Sequence, residues 1–200
     1  MKKKFLITLS VVACAILLVV GSIAGTVAYL TSVKAVTNTF TVGAISITLN
    51  ESKVNEYGTV VTPEERVITN TYKLVPGRTY TKNPVVTVTQ DSEECWLFVK
   101  VENGLADIEA SGNTTIDAQI KANGWTALDG QAGVYYKANV TSTSTDTLTH
   151  NVFANFTLAS DANVASYKDA EIKVTAYAVQ SAELNDVNDA WNAVKDMSAN

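Results

Sequence analysis

The chain has 200 residues, a formal net charge of −5, one histidine and two cysteines. An acidic chain without clustered Lys and Arg is a poor partner for nucleic acid or for an anionic membrane surface. A single histidine does not supply the usual ligands of a zinc site, and two cysteines do not make a disulfide framework. The composition therefore indicates an acidic protein that relies on its hydrophobic core, and we expect no cofactor.

Residues 1–28 have the three parts of a secretory signal. Three lysines precede a long apolar run, and small residues follow at Thr26 and Ala28. Signal peptidases accept small side chains three residues and one residue before the cut, so cleavage is predicted between Ala28 and Tyr29. Removing the three lysines and no acid changes the net charge from −5 to −8 for residues 29–200. The chain is then expected to contact the membrane only before cleavage.

Two other readings of this segment stay open. The apolar run extends close to Leu30, which is long enough for an uncleaved membrane anchor. The stretch "VVAC" ending at Cys14 loosely resembles a lipoprotein cleavage box, although the apolar "AILLVV" follows in place of a polar tether.

Short alternating runs separated by turn residues dominate residues 29–200, and they predict one all-β domain, a sandwich or a barrel. The first run covers residues 39–49. Its apolar residues change parity at a glycine, which favours a bulge or a break there. The residues of this candidate strand are Phe40, Val42, Gly43, Ile45, Ile47 and Leu49.

Several later runs have a clear period. "CWLFVKVEN" is apolar on both faces and predicts a central strand, and residues 129–133 predict the turn of a hairpin. "TLTHNVFANFTL" predicts one strand whose apolar face holds Leu148, His150, Val152, Ala154, Phe156 and Leu158. "AEIKVTAYAVQ" predicts a strand with Ile172, Val174, Ala176 and Ala178 facing inward and Lys173, Thr175 and Tyr177 facing outward.

The C-terminal residues 185–197 change to a helical period. Val187, Ala190, Trp191 and Val194 recur at helical spacing after a candidate N-cap at Asn185 or Asp186. We expect a short amphipathic helix that packs on the sheet through Trp191.

Residues that could carry chemistry are few. His150 lies on the apolar parity of its strand and is interpreted as a core or rim histidine with its hydrogen bonds satisfied. Cys95 lies on an inward parity and is interpreted as a small core hydrophobe. The acidic stretches 91–94 and 183–189 lack the spacing of a calcium loop and are interpreted as solvated turns. No catalytic or metal-binding residue is predicted.

The N-terminal region resembles a known family. "GTVAYLTS" followed by "NTFTVGAISITLNE" is similar to the precursors processed by the SipW-type signal peptidase, the TasA and camelysin proteins of Gram-positive bacteria. Leu30 replaces the usual aromatic residue and Ser32 the usual acid. The residues that match are Gly25, Thr26, Ala28, Tyr29, Thr31, Asn38, Phe40, Gly43, Ile45 and Ile47.

The resemblance implies a jelly-roll-like β-sandwich with a short C-terminal helix, preceded by an N-terminal signal helix. It implies a secreted structural subunit of biofilm-matrix fibres that assembles by donor-strand exchange. The partners would be further copies of the chain, the signal peptidase, and other matrix or surface components. The location would be the extracellular matrix or cell surface of a Gram-positive bacterium.

Two alternatives to a fibre subunit remain. A cell-surface adhesin would need exposed aromatic residues along a groove, and the candidate cluster is Trp125, Tyr135 and Tyr136. Camelysin-like proteins have been classed as metalloproteases, but this sequence carries no recognisable zinc motif. The enzyme reading is therefore the least favoured of the three.

Overall fold

The computed structural model describes residues 45–142 and 148–197, which consist mostly of antiparallel β-strands. This confirms the prediction of an all-β protein. The described strands are β1 (Ile47–Ser52), β2 (Arg66–Val67), β3 (Thr79–Thr81), β4 (Val85–Val88), β5 (Cys95–Asn103), β6 (Thr126–Ala127), β7 (Val134–Val140), β8 (Thr149–Asn151), β9 (Asn155–Thr157) and β10 (Ile172–Gln180). The described helices are α1 (Ile116–Ala122), α2 (Val187–Val194) and the short 3-10 helices Ala106–Ile108 and Val164–Tyr167.

The described strands form three antiparallel sheets. One has the order β2-β1-β4-β8, the second has the order β10-β5-β7-β6, and β3 pairs with β9 alone. Strand β1 pairs with β4 through Ile47–Val88 and Leu49–Val86. Strand β10 pairs with β5 along its whole length, from Ile172 to Gln180.

Strand β5 is central, as the sequence predicts, because its apolar residues alternate onto two faces. Cys95, Leu97 and Val99 are fully buried in the main core. Trp96 and Phe98 face the opposite side and belong to a second cluster under α2. A strand that is covered on both faces needs apolar residues on both parities.

The main core is shared by strands of all three sheets. Val86 of β4, Leu97 of β5 and Tyr80 of β3 are each fully buried in it. Tyr80 and Phe156 stack with ring centroids 4.9 Å apart, which fixes β3 against β9. Each such side chain stabilises the fold by about 1.5–3 kcal/mol through burial.

Helix α2 lies within the predicted C-terminal helix and begins after Asp186. The Asp186 side chain accepts a hydrogen bond from the backbone N–H of Asn188 at 2.8 Å, which satisfies one donor of the first turn. Ala190, Trp191 and Val194 are buried against the second cluster. The helical period therefore predicted both the element and the face that it buries.

The predicted hairpin is confirmed by the pairing of β6 with β7, with Thr126 opposite Tyr136. Gly133 in its turn has φ +73°, and a Cβ there would lie 2.5 Å from the carbonyl oxygen of Val101. Only glycine fits both the backbone conformation and the close approach to β5.

The prediction of one continuous strand over residues 148–158 is wrong. The chain leaves β8, which pairs with β4, and enters β9, which pairs with β3. The bend between these sheets breaks the alternation, so Val152 and Phe153 are both buried while Ala154 is exposed. The assignment of Ala154 to the apolar face fails for that reason.

Candidate functional site

The outer edge of β10 is the longest open strand edge among the described residues. All nine of its residues pair with β5 on one side, and no other described strand pairs with it. Its apolar residues Ile172, Val174, Ala176 and Ala178 are only partly buried against the main core. A long edge with free backbone donors and acceptors is a template for another strand.

A groove of about 1020 Å³ runs between β10 and β1. Apolar and polar surface contribute about equally to its walls, so it suits an extended segment with apolar side chains on one face and polar side chains on the other. Ile68, 88% exposed, lies at its rim. The apolar lining includes Ile45, Ile47 and Leu49 on one side, Ile172, Val174, Ala176 and Ala178 on the other, and Leu105 and Phe156 between them.

One end of the groove is polar and contains a buried ion pair. Lys82 Nζ lies 2.8 Å from Glu51 Oε2, and the two side chains are 12% and 5% exposed. Asn70 donates from Nδ2 to the other oxygen of Glu51 at 2.9 Å. Burial, and then the charge of Glu51, raise the pKa of Tyr72 beside them. A buried carboxylate that holds two nitrogen donors can move protons between them.

The predicted assembly strand is described only in part. Ile45, Ile47 and Leu49 pack on the main core from the wall of the groove. Phe40, Val42 and Gly43 lie outside the described residues, as do the predicted cleavage residues Ala28 and Tyr29. The chain enters the described structure at Ile45, on the groove itself.

The two core candidates are placed as their parity predicts. Cys95 is a buried free thiol whose pKa is raised to about 11 by burial and then by Glu94. His150 is half-buried beside Trp125, with ring centroids 6.4 Å apart. Its Nε2 is buried and has no hydrogen-bond partner among the described residues, so it is not the satisfied histidine that was expected.

The aromatic residues proposed for an adhesin do not form an exposed platform. Trp125 and Tyr135 are 3% and 7% exposed and belong to the main core. Tyr136 packs instead against Trp96 and Phe98 in the second cluster. Within residues 45–142 and 148–197, no three His, Cys, Asp or Glu side chains are grouped so that they could hold a metal ion.

Sequence reasoning missed the cluster of Glu51, Lys82 and Asn70, in which the Glu51 carboxylate is buried. A signal was nevertheless present, because Glu51 continues the parity of Ile47 and Leu49 along β1. A carboxylate on the apolar parity of a strand predicts a buried, partnered charge. Its partners come from distant segments with no motif spacing, so the sequence alone could not identify them.

Comparisons of the chain with protein-family models, with characterised proteins and with solved structures find no significant match. In the part of the chain that the structure describes, no helix has the length and apolar character needed to cross a bilayer.

Proposed function

We propose that this chain is a secreted structural subunit of extracellular matrix fibres, with a jelly-roll-like β-sandwich. In this proposal the N-terminal segment of one subunit adds as a strand to the β10 edge of the next. The open nine-residue edge beside a groove with an apolar wall carries the proposal. Strand addition to a free edge obtains affinity from backbone hydrogen bonds and specificity from pockets for alternate side chains.

The donor has the pattern that such a groove requires. In the alternating run Thr39-Phe40-Thr41-Val42, the two apolar residues share one face of an extended strand and the two threonines share the other. After cleavage before Tyr29, residues 29–44 would supply 16 residues, at about 3.3 Å each when extended. That length covers an edge of nine residues and leaves a connector between subunits.

We place the donor in the first half of the predicted segment 39–49, because its second half already belongs to β1. Ile47 and Leu49 already pair with β4 of their own chain. Donating them would require β1 to leave its sheet, whereas residues 39–44 precede it. We therefore place Phe40 and Val42 in the partner's groove and keep Ile45, Ile47 and Leu49 in the donor subunit.

The adhesin and metalloprotease alternatives have no comparable observation behind them in the described structure. The buried positions of Trp125 and Tyr135 give an adhesin no aromatic surface at that cluster. The proposed partners are thus another copy of the chain and the signal peptidase that releases it, with other matrix components as later contacts. The proposed location is the matrix or surface of a Gram-positive bacterium.

Engineered disulfides test the proposal. The mature protein with Val42→Cys and Ala176→Cys should form a ladder of disulfide-linked oligomers on non-reducing gels, because the donor side chain reaches the groove wall of a second copy. A second pair, Val42→Cys with Val174→Cys, tests the case in which the donor strand is shifted by two residues along β10. Native Cys95 is buried and does not compete.

The matched control is Val42→Cys with Glu102→Cys, whose side chain is exposed on β5 and does not line the groove. It should give much weaker ladders. Equal ladders from the control would show that docking is not in the groove. A wild-type mature protein that stays monomeric at every concentration would contradict the fibre proposal itself.

A further inference from the structure

Three separate segments bring a lysine amine, an asparagine amide and a carboxylate together at the polar end of the groove. Glu51 comes from β1, Asn70 from the loop after β2, and Lys82 from the residue after β3. Lys82 Nζ and Asn70 Nδ2 contact the two oxygens of the same Glu51 carboxylate, at 2.8 and 2.9 Å. Sharing one carboxylate holds the amine close to the amide that it could attack.

The Asn70 amide is polarised by backbone groups. The N–H of Val54 donates to Asn70 Oδ1 at 3.0 Å, where negative charge would develop if a nucleophile added to the amide carbon. Asn70 Nδ2 also donates to the carbonyl oxygen of Ser52 at 3.0 Å. The amide is therefore held at both ends, with its carbonyl activated and its nitrogen against a proton source.

Aromatic rings shield this cluster from water. Tyr72 donates from its hydroxyl to the carbonyl oxygen of Thr81 at 3.0 Å. Its ring packs edge-on against Tyr80 and Phe156, at centroid distances of 5.8 and 5.4 Å. Low exposure strengthens the electrostatic interactions of Glu51 and slows hydrolysis as a competing reaction.

We propose that Lys82 and Asn70 form an intramolecular amide cross-link and that Glu51 is the catalytic acid and base. The inference rests on these contacts alone and does not depend on the fibre proposal. A static ion pair would need Glu51 and Lys82 only. The additional placement of Asn70, with its carbonyl on a backbone N–H, is what the cross-link explains.

The reaction needs no oxidant or cofactor. Glu51 takes a proton from the Lys82 ammonium, and the Nζ lone pair forms a bond to Asn70 Cγ while the carbonyl π electrons move to Oδ1. Glu51 then passes a proton to Nδ2, and the Cγ–Nδ2 bond breaks with its electrons on nitrogen. The carbonyl re-forms, and one of the two protons left on Nζ passes to the departing ammonia, which leaves as ammonium, while the other stays as the N–H of the new amide. Glu51 returns to its carboxylate form.

Mass spectrometry of the full chain, as expressed and with its N-terminus sequenced, tests the cross-link. Wild-type protein should be lighter by one ammonia, about 17 Da. Trypsin should yield a branched peptide that joins residues 67–73 to residues 79–100, because a modified Lys82 is not cleaved. Unchanged mass together with linear peptides ending at Lys82 would overturn the proposal.

Three variants assign the roles. Lys82→Arg keeps the cation but removes the nucleophile, and Glu51→Gln removes the proton carrier, so both should restore the full mass. Glu65→Gln disrupts the exposed pair with Lys53 and should still lose ammonia. A mass loss that persists in Lys82→Arg would overturn the cross-link, and one that persists in Glu51→Gln would overturn the role of Glu51. If Glu51→Gln fails to fold, the wild-type mass and Lys82→Arg still decide.

Discussion

At the scale of single residues, His150 is a titratable group without a hydrogen-bond partner for its buried Nε2 in the described structure. Burial, and then the nearby positive charge of Lys137, lower the pKa of His150. Lys137 also lies over the Trp125 ring, with its Nζ 5.3 Å from the ring centroid. A second positive charge on His150 would therefore be unfavourable in the folded state.

We predict that His150 makes the protein less stable as the pH falls. The unfolded histidine titrates near a pKa of about 6.5, whereas the folded one titrates lower. Above the unfolded value both states are neutral, and below it only the unfolded state gains the proton, so the free energy of unfolding decreases. His150→Gln should show a smaller difference in urea midpoint between about pH 8 and about pH 5 than wild type.

The comparison between wild type and variant is necessary because other groups also change the free energy of unfolding as the pH falls. Burial raises the pKa of Glu109, which works in the opposite direction since the folded state then holds the proton more tightly. Subtracting the variant from wild type removes that contribution. Identical pH dependence in the two proteins would show that His150 is protonated equally in both states.

Parity along a strand predicted single residues well where the strand was regular. Cys95 is buried as predicted, and Ile172 and Val174 of β10 pack on the main core as predicted. The cluster around the buried Glu51 was not predicted, since hydrogen bonds between distant segments leave no period in a sequence. The lack of a described hydrogen-bond partner for His150 Nε2 could not be predicted either, because it depends on which groups the neighbouring elements place beside the ring.

At the scale of elements, α2 covers the outer face of the β10-β5-β7-β6 sheet. Trp191 packs on Phe98 and Tyr177, with centroid distances of 5.4 Å to each ring. The chain before the helix is fastened by the indole N–H of Trp96, which donates to the carbonyl oxygen of Leu184 at 2.8 Å. Aromatic contacts of this kind dominate the energetics of a small cluster.

We predict that Trp191→Ala destabilises the protein by about 3–5 kcal/mol, the usual cost of removing a large buried aromatic side chain. Urea unfolding followed by circular dichroism measures the change. Asn192→Ala is the matched control, because it changes an exposed residue of the same helix and should have little effect. Equal midpoints for the two variants would mean that α2 does not dock through Trp191.

Strands and helices whose hydrophobic pattern keeps one period were predicted from the sequence. The bend at which the chain passes from one sheet to another was not. The extent of β5 and the face buried by α2 follow directly from spacing. Residues 148–158 alternate in sequence as one strand, yet they divide into β8 and β9 because the chain bends from one sheet to another. Tyr177 was predicted to face outward and is instead covered by α2, since periodicity cannot show that a second layer packs on that face.

At the scale of the whole molecule, the fibre proposal requires an open acceptor and a candidate donor in one chain. Among the described strands β10 ends its sheet, the groove beside it has an apolar wall, and residues 29–44 precede Ile45 in the chain. A subunit with one acceptor and one donor forms a head-to-tail contact, and such a contact produces open filaments unless the rotation closes a ring.

This arrangement predicts that a chain without its donor stops fibre growth. Deleting residues 29–41 from the mature protein leaves the compact unit of residues 42–200 with its groove and without most of the donor. Mixed with equimolar wild type, the deleted protein should bind the donor segments of wild-type subunits, but it lacks Phe40 and cannot donate a complete segment to the next subunit. Electron microscopy should therefore show much shorter fibres. The matched control is the same deletion with Ala176→Lys, which places an unpaired charge in the groove wall, is costly to bury and should therefore abolish capping. If both deleted proteins are folded and neither shortens the fibres, growth does not use the β10 groove.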